Sequence, residues 1–196
     1  MAQYFENDQH IKSEIKKTTF LIRNHEYVFY TDNGVFAKKG LDLGTHLLLE
    51  SVLNQNISGR VLDLGCGYGP IGIVLKHEFP DACIDMTDVN LRALELARKN
   101  VQENKVDVHI FESYGYEKID EKYQYIISNP PIRVGKKVLY DLLIGAKEYL
   151  VANGELWIVI HKDQGAKSTL KELEKYYQVE VVNKSHGFFI IVARNN

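Results

Sequence analysis

Cysteine is the first shortage: Cys66 and Cys83 are the only two in 196 residues. They form neither a disulfide framework nor a zinc-ligand spacing, so a reducing cytoplasm is the expected location. The seven histidines show no H-x-x-x-H spacing or other ligand pairing, and no metal is expected. No apolar run is long enough to span a bilayer, and Met1-Ala2-Gln3-Tyr4 opens no signal-peptide pattern, so no membrane association is expected. A large excess of one charge is also missing. The 24 Lys+Arg against 26 Asp+Glu leave a net charge of −2, which excludes a polycation that coats nucleic acid. Any contact with nucleic acid then needs a local basic patch. Repeats and low-complexity segments are absent.

What is present is a full core. A hydrophobic share of 45% over 196 residues fits one substantial domain, or one with a small appendage. From about residue 57 onward, short apolar runs alternate with amphipathic segments. Strands are expected at 60–63, 83–88, 108–111, 123–128 and 155–160. Helices are expected from Pro70, from Leu91 with Asn90 as cap, over 137–150 with a stop at Asn153-Gly154, and over 164–177. Two closing runs, 179–182 and 188–193, flank a short polar gap containing Gly187 and predict an antiparallel hairpin. The expected fold is α/β: a mostly parallel, Rossmann-like, seven-stranded sheet with helices on both faces and that hairpin at its end. Residues 57–196 form the expected catalytic domain. Residues 1–56 are an expected extension, with a hairpin turning at Asn24-His25 and a helix from about Thr45 to Gln55, packed on the core.

Such sheets bind ligands beyond the carboxyl ends of their strands. The loop at Asp63, then Asp88, Ser113 and Asn129 all follow expected strands and therefore share one rim. Gly65-Cys66-Gly67-Tyr68-Gly69 is a G-x-G-x-G turn rather than the G-x-G-x-x-G that cradles a pyrophosphate. Asp63 beside it is a poor neighbour for pyrophosphate and suits a cationic group, such as the methionine end of S-adenosylmethionine. Asp88 is placed to accept from ribose hydroxyls. Downstream, Asn129-Pro130-Pro131 ends an apolar strand. Asn129 Oδ1 and the Pro130 carbonyl can grip the two N–H groups of a conjugated amine, with the prolines fixing the backbone. Alignment and exclusion of water then carry an in-line methyl transfer, with no metal or covalent intermediate.

These residues closely resemble the class I methyltransferases, specifically ribosomal RNA guanine-N2 methyltransferases of the RsmC type (the methyltransferase small-domain group). The matching stretches are 61–72, 88–90 and 128–136, with 34–36 and 41–45 similar to the entry segment of that family. The resemblance covers residue 34 to the C-terminus, and only the catalytic half of the longer members. It implies S-adenosylmethionine at Asp63, Gly65, Cys66, Gly67, Gly69, Asp88, Val89 and Asn90, with Ser113 near the adenine. Asp42, Gly44 and Thr45 border the methionine end, and Asn129 contacts both cofactor and target amine. One departure is Ile132, where many amine methyltransferases carry an aromatic residue. It leaves the stacking partner open, with Phe36 as a candidate.

Arg133, Lys136 and Lys137, extended by Lys38, Lys39, Lys162 and Lys167, are candidates for phosphate contacts beside the target. Ile132 and Lys38 complete the substrate-side set. The expected partner is RNA, ribosomal RNA or a ribosomal subunit. Methylation of adenine N6, a protein glutamine or a small molecule is the enzymatic alternative. A non-catalytic RNA-binding module is the other, although neither Asp63 nor Asn129 is lost. Cys66 lacks a base or second thiol and is expected as a small loop residue.

Overall fold

The computed structural model of the protein describes residues 13–33 and 41–196. Phe36, Lys38 and Lys39 lie outside the described residues, as does the 34–36 stretch. Along the described chain the elements are β1 (Lys16–Ile22), β2 (His25–Thr31), α1 (Leu43–Val52), β3 (Arg60–Leu64), α2 (Pro70–Glu78), β4 (Cys83–Asp88), α3 (Leu91–Glu103), β5 (His109–Glu112), β6 (Tyr123–Ser128), α4 (Lys136–Tyr149), β7 (Leu150–His161), α5 (Ala166–Leu173), β8 (Gln178–Ser185) and β9 (Phe188–Arg194). β1 and β2 form a separate antiparallel pair. The other seven strands form one sheet in the order β5-β4-β3-β6-β7-β9-β8. The pairings of β9 with β7 and β8 are antiparallel and the others are parallel, so β9 runs opposite to the other six strands of this sheet.

Period-two alternation of apolar side chains places a core on each side of this sheet. Val61, Ile127, Trp157, Val159 and Ile190 face α1, α2 and α3. Leu62, Leu64, Ile126, Leu156, Ile158 and Ile191 face α4 and α5. With both faces covered, the strands read as continuous apolar runs rather than alternating ones. Each such buried side chain contributes about 1.5–3 kcal/mol. Asp63 breaks this pattern, standing fully buried where β3 would otherwise carry another apolar residue.

The N-terminal hairpin is tied down from both sides. Tyr27 and Phe29 are fully buried in the core beneath α1, α2 and α3. On its open edge, β2 meets two asparagines one turn apart, Asn100 in α3 and Asn104 at its C-cap. Asn104 Nδ2 donates to the Val28 carbonyl at 2.7 Å and its Oδ1 accepts the Val28 N–H at 3.2 Å. Asn100 does the same at Tyr30, at 3.0 and 2.7 Å, and Asn100 Nδ2 also donates to the Tyr68 carbonyl at 2.8 Å.

Several boundaries differ from the sequence reading. The hairpin turns at Arg23-Asn24, both with positive φ (47° and 64°), the twist that two-residue hairpins favour. α1 begins at Leu43, because Asp42 accepts the Thr45 N–H and caps it. α4 ends at Tyr149, short of Asn153-Gly154. Asn153 (φ 59°) instead bulges β7, its N–H donating to the Asn195 carbonyl at 2.8 Å. The expected helix over 164–177 is shorter: Gly165 (φ 92°) starts it at Ala166, and it stops at Leu173.

Candidate cofactor and acceptor site

β3 and β6 are adjacent parallel strands with Asp63 opposite Ile127, two residues before Asn129. The chain leaves β3 toward α2 and β4 on one side, and leaves β6 toward α4 and β7 on the other. The connections therefore diverge between them and open a crevice at this point of the rim. Ser128 Oγ donates to the Leu64 carbonyl at 2.7 Å and ties the two strand ends together. Both halves of the expected site thus meet at one lip.

The glycine loop begins with the Gly65 and Cys66 N–H groups, both donating to the Thr87 carbonyl at 2.8 Å. Gly65 and Gly67 have φ of 72° and 57°, and a Cβ at either would meet nothing within 4 Å, so conformation rather than space requires glycine there. Gly69 is required on both grounds, with φ 98° and a Cβ that would lie 2.8 Å from Met86 Cε, whereas Gly72 serves packing alone. A Cβ at Gly72 would come within 2.5 Å of Met86 Sδ, so α2 lies close against β4.

Two carboxylates underlie this loop and differ in exposure. Asp88 faces the crevice. Its Oδ2 accepts the Gly67 N–H and its Oδ1 the Asn90 N–H, each at 2.8 Å, which orients both oxygens and leaves lone pairs for a diol. Burial raises its pKa and these backbone donors oppose the rise. Asp63 does not open on the crevice. Its Oδ2 accepts the Gly72 N–H at 2.8 Å, while Oδ1 is buried with no hydrogen-bond partner among the described residues. Burial pushes its pKa up to about 7, with the Gly72 N–H pulling down and Asp88 adding a smaller push upward. A cationic group near Oδ1 would relieve that desolvation. The pair fits a nucleoside carrying a cationic amino-acid arm.

Asn129 is half-buried and oriented from α1. Its Nδ2 donates to Thr45 Oγ1 at 2.9 Å and to the N-cap carboxylate of Asp42 at 3.3 Å. With the amide nitrogen committed, Oδ1 is left as acceptor on the other side. Thr45, expected at the cofactor, is buried and spends its hydroxyl on Asn129.

A cavity of about 660 Å³ runs from this rim between the loop after β5 and α4. Of the residues the sequence singled out, Gly65, Asp88, Val89, Ser113, Asn129 and Pro131 line it. Other expected residues do not. Asn90 Oδ1 caps α3 by accepting the Ala93 N–H, so its side chain belongs to the helix. Cys66 is buried, and burial holds its thiol pKa well above the usual range, which fits the loop role and no nucleophile. Gly67 and Gly69 act through backbone. Pro130 is buried and Ile132 packs on the core beside α4. Lys136 is exposed at the start of α4, and Arg133 lies in the short turn 132–134. The far wall was missed: Tyr114, Glu117, Asp120, Asp141 and Tyr149 line it. Tyr149 stacks on Tyr116 with centroids 4.5 Å apart, a pairing across 33 residues that no local pattern announces. Among the described residues no cluster of three or more His, Cys, Asp or Glu could hold a metal, and no helix is long and apolar enough to cross a membrane.

A family model described as methyltransferase small domain matches residues 26–192. The uncharacterized protein YbxB of Bacillus subtilis is 42% identical over 195 residues, 97% of each chain. The ribosomal RNA small subunit methyltransferase C of Haemophilus influenzae (strain PittGG) is 41% identical over 154 residues, 76% of this chain and 46% of that protein. In three dimensions the chain is similar to the T. thermophilus 16S rRNA N2 G1207 methyltransferase (RsmC), solved in complex with AdoMet and guanosine. There the TM-score is 0.83 at 22% identity, covering 95% of this chain and 52% of the other. The chain thus spans about half the length of these two RNA methyltransferases.

Proposed function

The chain belongs to the methyltransferase small domain family, and we propose that it transfers a methyl group from S-adenosylmethionine to the exocyclic N2 of guanine in RNA, specifically ribosomal RNA. The carrying observation is Asn129: at the strand end beside the glycine loop, its Nδ2 is held by Thr45 and Asp42, which turns Oδ1 toward an incoming donor. The relatives that act on ribosomal RNA support the substrate class.

S-adenosylmethionine supplies, when bound, a methyl group on a sulfonium, whose S–C bond breaks as the new N–C bond forms. Asp88 would accept from the ribose hydroxyls, and Asp63 would balance the cationic arm from beneath the loop. Asn129 Oδ1 and the Pro130 carbonyl would accept the two N–H groups of the target amine, aligning the nitrogen lone pair for in-line attack. The methylated nitrogen then sheds one proton to water, so no charge relay is needed. The base must be unpaired to reach this rim. Residues 1–56 serve as an extension that supports the catalytic domain at 57–196, a reading favoured by Tyr27 and Phe29 in the shared core. The setting is cytoplasmic, where the RNA or a ribosomal subunit is met.

Incubation with tritiated S-adenosylmethionine and protein-free ribosomal RNA tests this directly. The expected product is N2-methylguanosine, identified by mass after nuclease digestion. Label appearing only in protein or small-molecule fractions would overturn it.

A further inference from the structure

The two sides of the rim differ in how their charges are spent. On the cavity side, acidic groups dominate: Asp88, Glu117, Asp120 and Asp141 line the wall. Of the cations nearby, Lys118 pairs with Glu112 at 3.2 Å and Lys137 with Asp141 at 2.6 Å, while Lys136 at the start of α4 is exposed. The acidic wall makes that side the less favourable one for a polyanion. Beyond Asn129, toward β7 and β9, the balance reverses. Lys162 and Lys167 are exposed and in no ion pair among the described residues, and Lys184 is exposed, its ammonium 4.8 Å from the Phe189 ring centre. Asp163, the acidic residue of the 161–167 segment, sits 3.4 Å from His161 Nδ1, and Asp42, beside Gly44, already accepts from the Thr45 N–H and from Asn129 Nδ2.

β9 brings an aromatic residue to the same place. Because it runs antiparallel between β7 and β8, the 185–188 turn returns to the strand ends where the site lies. Phe188 begins β9 there and packs on Gly44, where an added Cβ would be 3.0 Å from Phe188 Cε1. Gly44 precedes Thr45, the hydroxyl that holds Asn129 at 2.9 Å, so the ring stands one residue from the acceptor support. His161 meets Phe188 edge-on with centroids 4.8 Å apart. The close approach depends on Gly187, where a Cβ would lie 2.5 Å from His161 Nε2, and on the Lys162 N–H donating to the Gly187 carbonyl at 2.7 Å. A half-buried, buttressed ring on a rim that also carries exposed lysines, Lys162 and Lys167 without ion pairs and Lys184 over Phe189 on the opposite face of the sheet, has the make-up of a single-strand platform, in which bases stack and phosphates meet cations.

We propose that the RNA strand carrying the target guanine runs from Asn129 across the β7–β9 side of the rim, with a neighbouring base stacked on Phe188 and phosphates held by Lys162, Lys167 and Lys184. The proposal rests on the RNA reading above. It is tested by fluorescence anisotropy with a labelled, guanine-containing single-stranded RNA of about 12 nucleotides, at several salt concentrations, with S-adenosylmethionine affinity measured in parallel by calorimetry. For K162Q/K167Q/K184Q, the slope of log affinity against log salt should fall by about 2, three contacts at about 0.7 each. Phe188→Leu, which keeps an apolar filler against Gly44, should weaken RNA binding about tenfold with the salt slope unchanged. Both should bind S-adenosylmethionine as the unmodified protein does. If the unmodified protein binds the RNA and both variants match it in affinity and slope, this path is wrong. If the unmodified protein binds S-adenosylmethionine but no RNA, the functional reading itself falls, and this inference with it.

Discussion

The glycine loop and the Asn-Pro-Pro segment hold their functional groups by opposite means. The loop after β3 relies on backbone: positive φ at Gly65 and Gly67, N–H groups aimed at Thr87 and Asp88, and carboxylates tucked against or behind the turn. Its one fully buried side-chain charge, Asp63, is under-satisfied without a cationic neighbour. The segment after β6 relies on side chains from far away in the chain: Asn129 is fixed by Thr45 and Asp42, more than eighty residues earlier. One half trades stability for affinity, whereas the other has its amide nitrogen fixed before any ligand arrives and keeps Oδ1 open as the acceptor. Loss of a group on the first half should therefore appear in binding, and on the second half in turnover.

The largest effect that would sharpen this contrast is Asn129→Ala. Turnover should fall about 10²-fold or more, as for removal of a preorganised polar group at a reacting centre, while calorimetry shows S-adenosylmethionine affinity largely kept. Lost affinity with unchanged single-turnover chemistry would erase the distinction. Next comes Asp63→Asn, for which cofactor affinity should drop about 10–100-fold, the worth of one charge-assisted contact.

The same residue sets a pH dependence. Burial raises its pKa from 3.8 to about 7 in the folded chain, so the folded state keeps a proton that the unfolded state has released. Its contribution to stability is fully present below about pH 4, declines as pH rises from there to 7, and is lost above. Asp63→Asn should therefore leave the ligand-free protein more resistant to urea than the unmodified chain at pH 8, with the gain vanishing near pH 4. Affinity for the cationic cofactor should rise with pH up to about 7 in the unmodified protein and stay flat in the variant. Gly72→Ala follows, with a stability loss of about 1–3 kcal/mol from crowding Met86, read from the denaturation midpoint. Smallest is Ser128→Ala, about 1 kcal/mol for one buried hydrogen bond to the Leu64 carbonyl.

Much of the fold was legible because the central strands are buried on both faces. The bounds of β4 and β6 match those expected at 83–88 and 123–128, and Pro70 and Asn90 mark helix starts by missing or capping N–H groups. Terminations were harder. The end of α4 is set by Leu150 joining β7 beside Tyr123, a tertiary pairing that overrides the Asn153-Gly154 stop signal. Within the site, types and rim position were readable, but most roles were not. Asn90 was legible as a cap, which already commits its amide to its own helix, but nothing local tells that Thr45 serves Asn129. The far wall depends on how α4 lies over the loop after β5, and Tyr149 reaches it only through that packing.

The paired amides of Asn100 and Asn104 act on β2 as a neighbouring strand would, answering the main-chain groups of Tyr30 and Val28 in turn. A two-stranded ribbon is thereby spared a bare flank, the kind of surface on which a second copy of a chain can align and begin to aggregate. Since Asn100 also grips Tyr68 within the glycine turn, half of that cover and the placement of the turn share one carboxamide, so a change at Asn100 would disturb both at once.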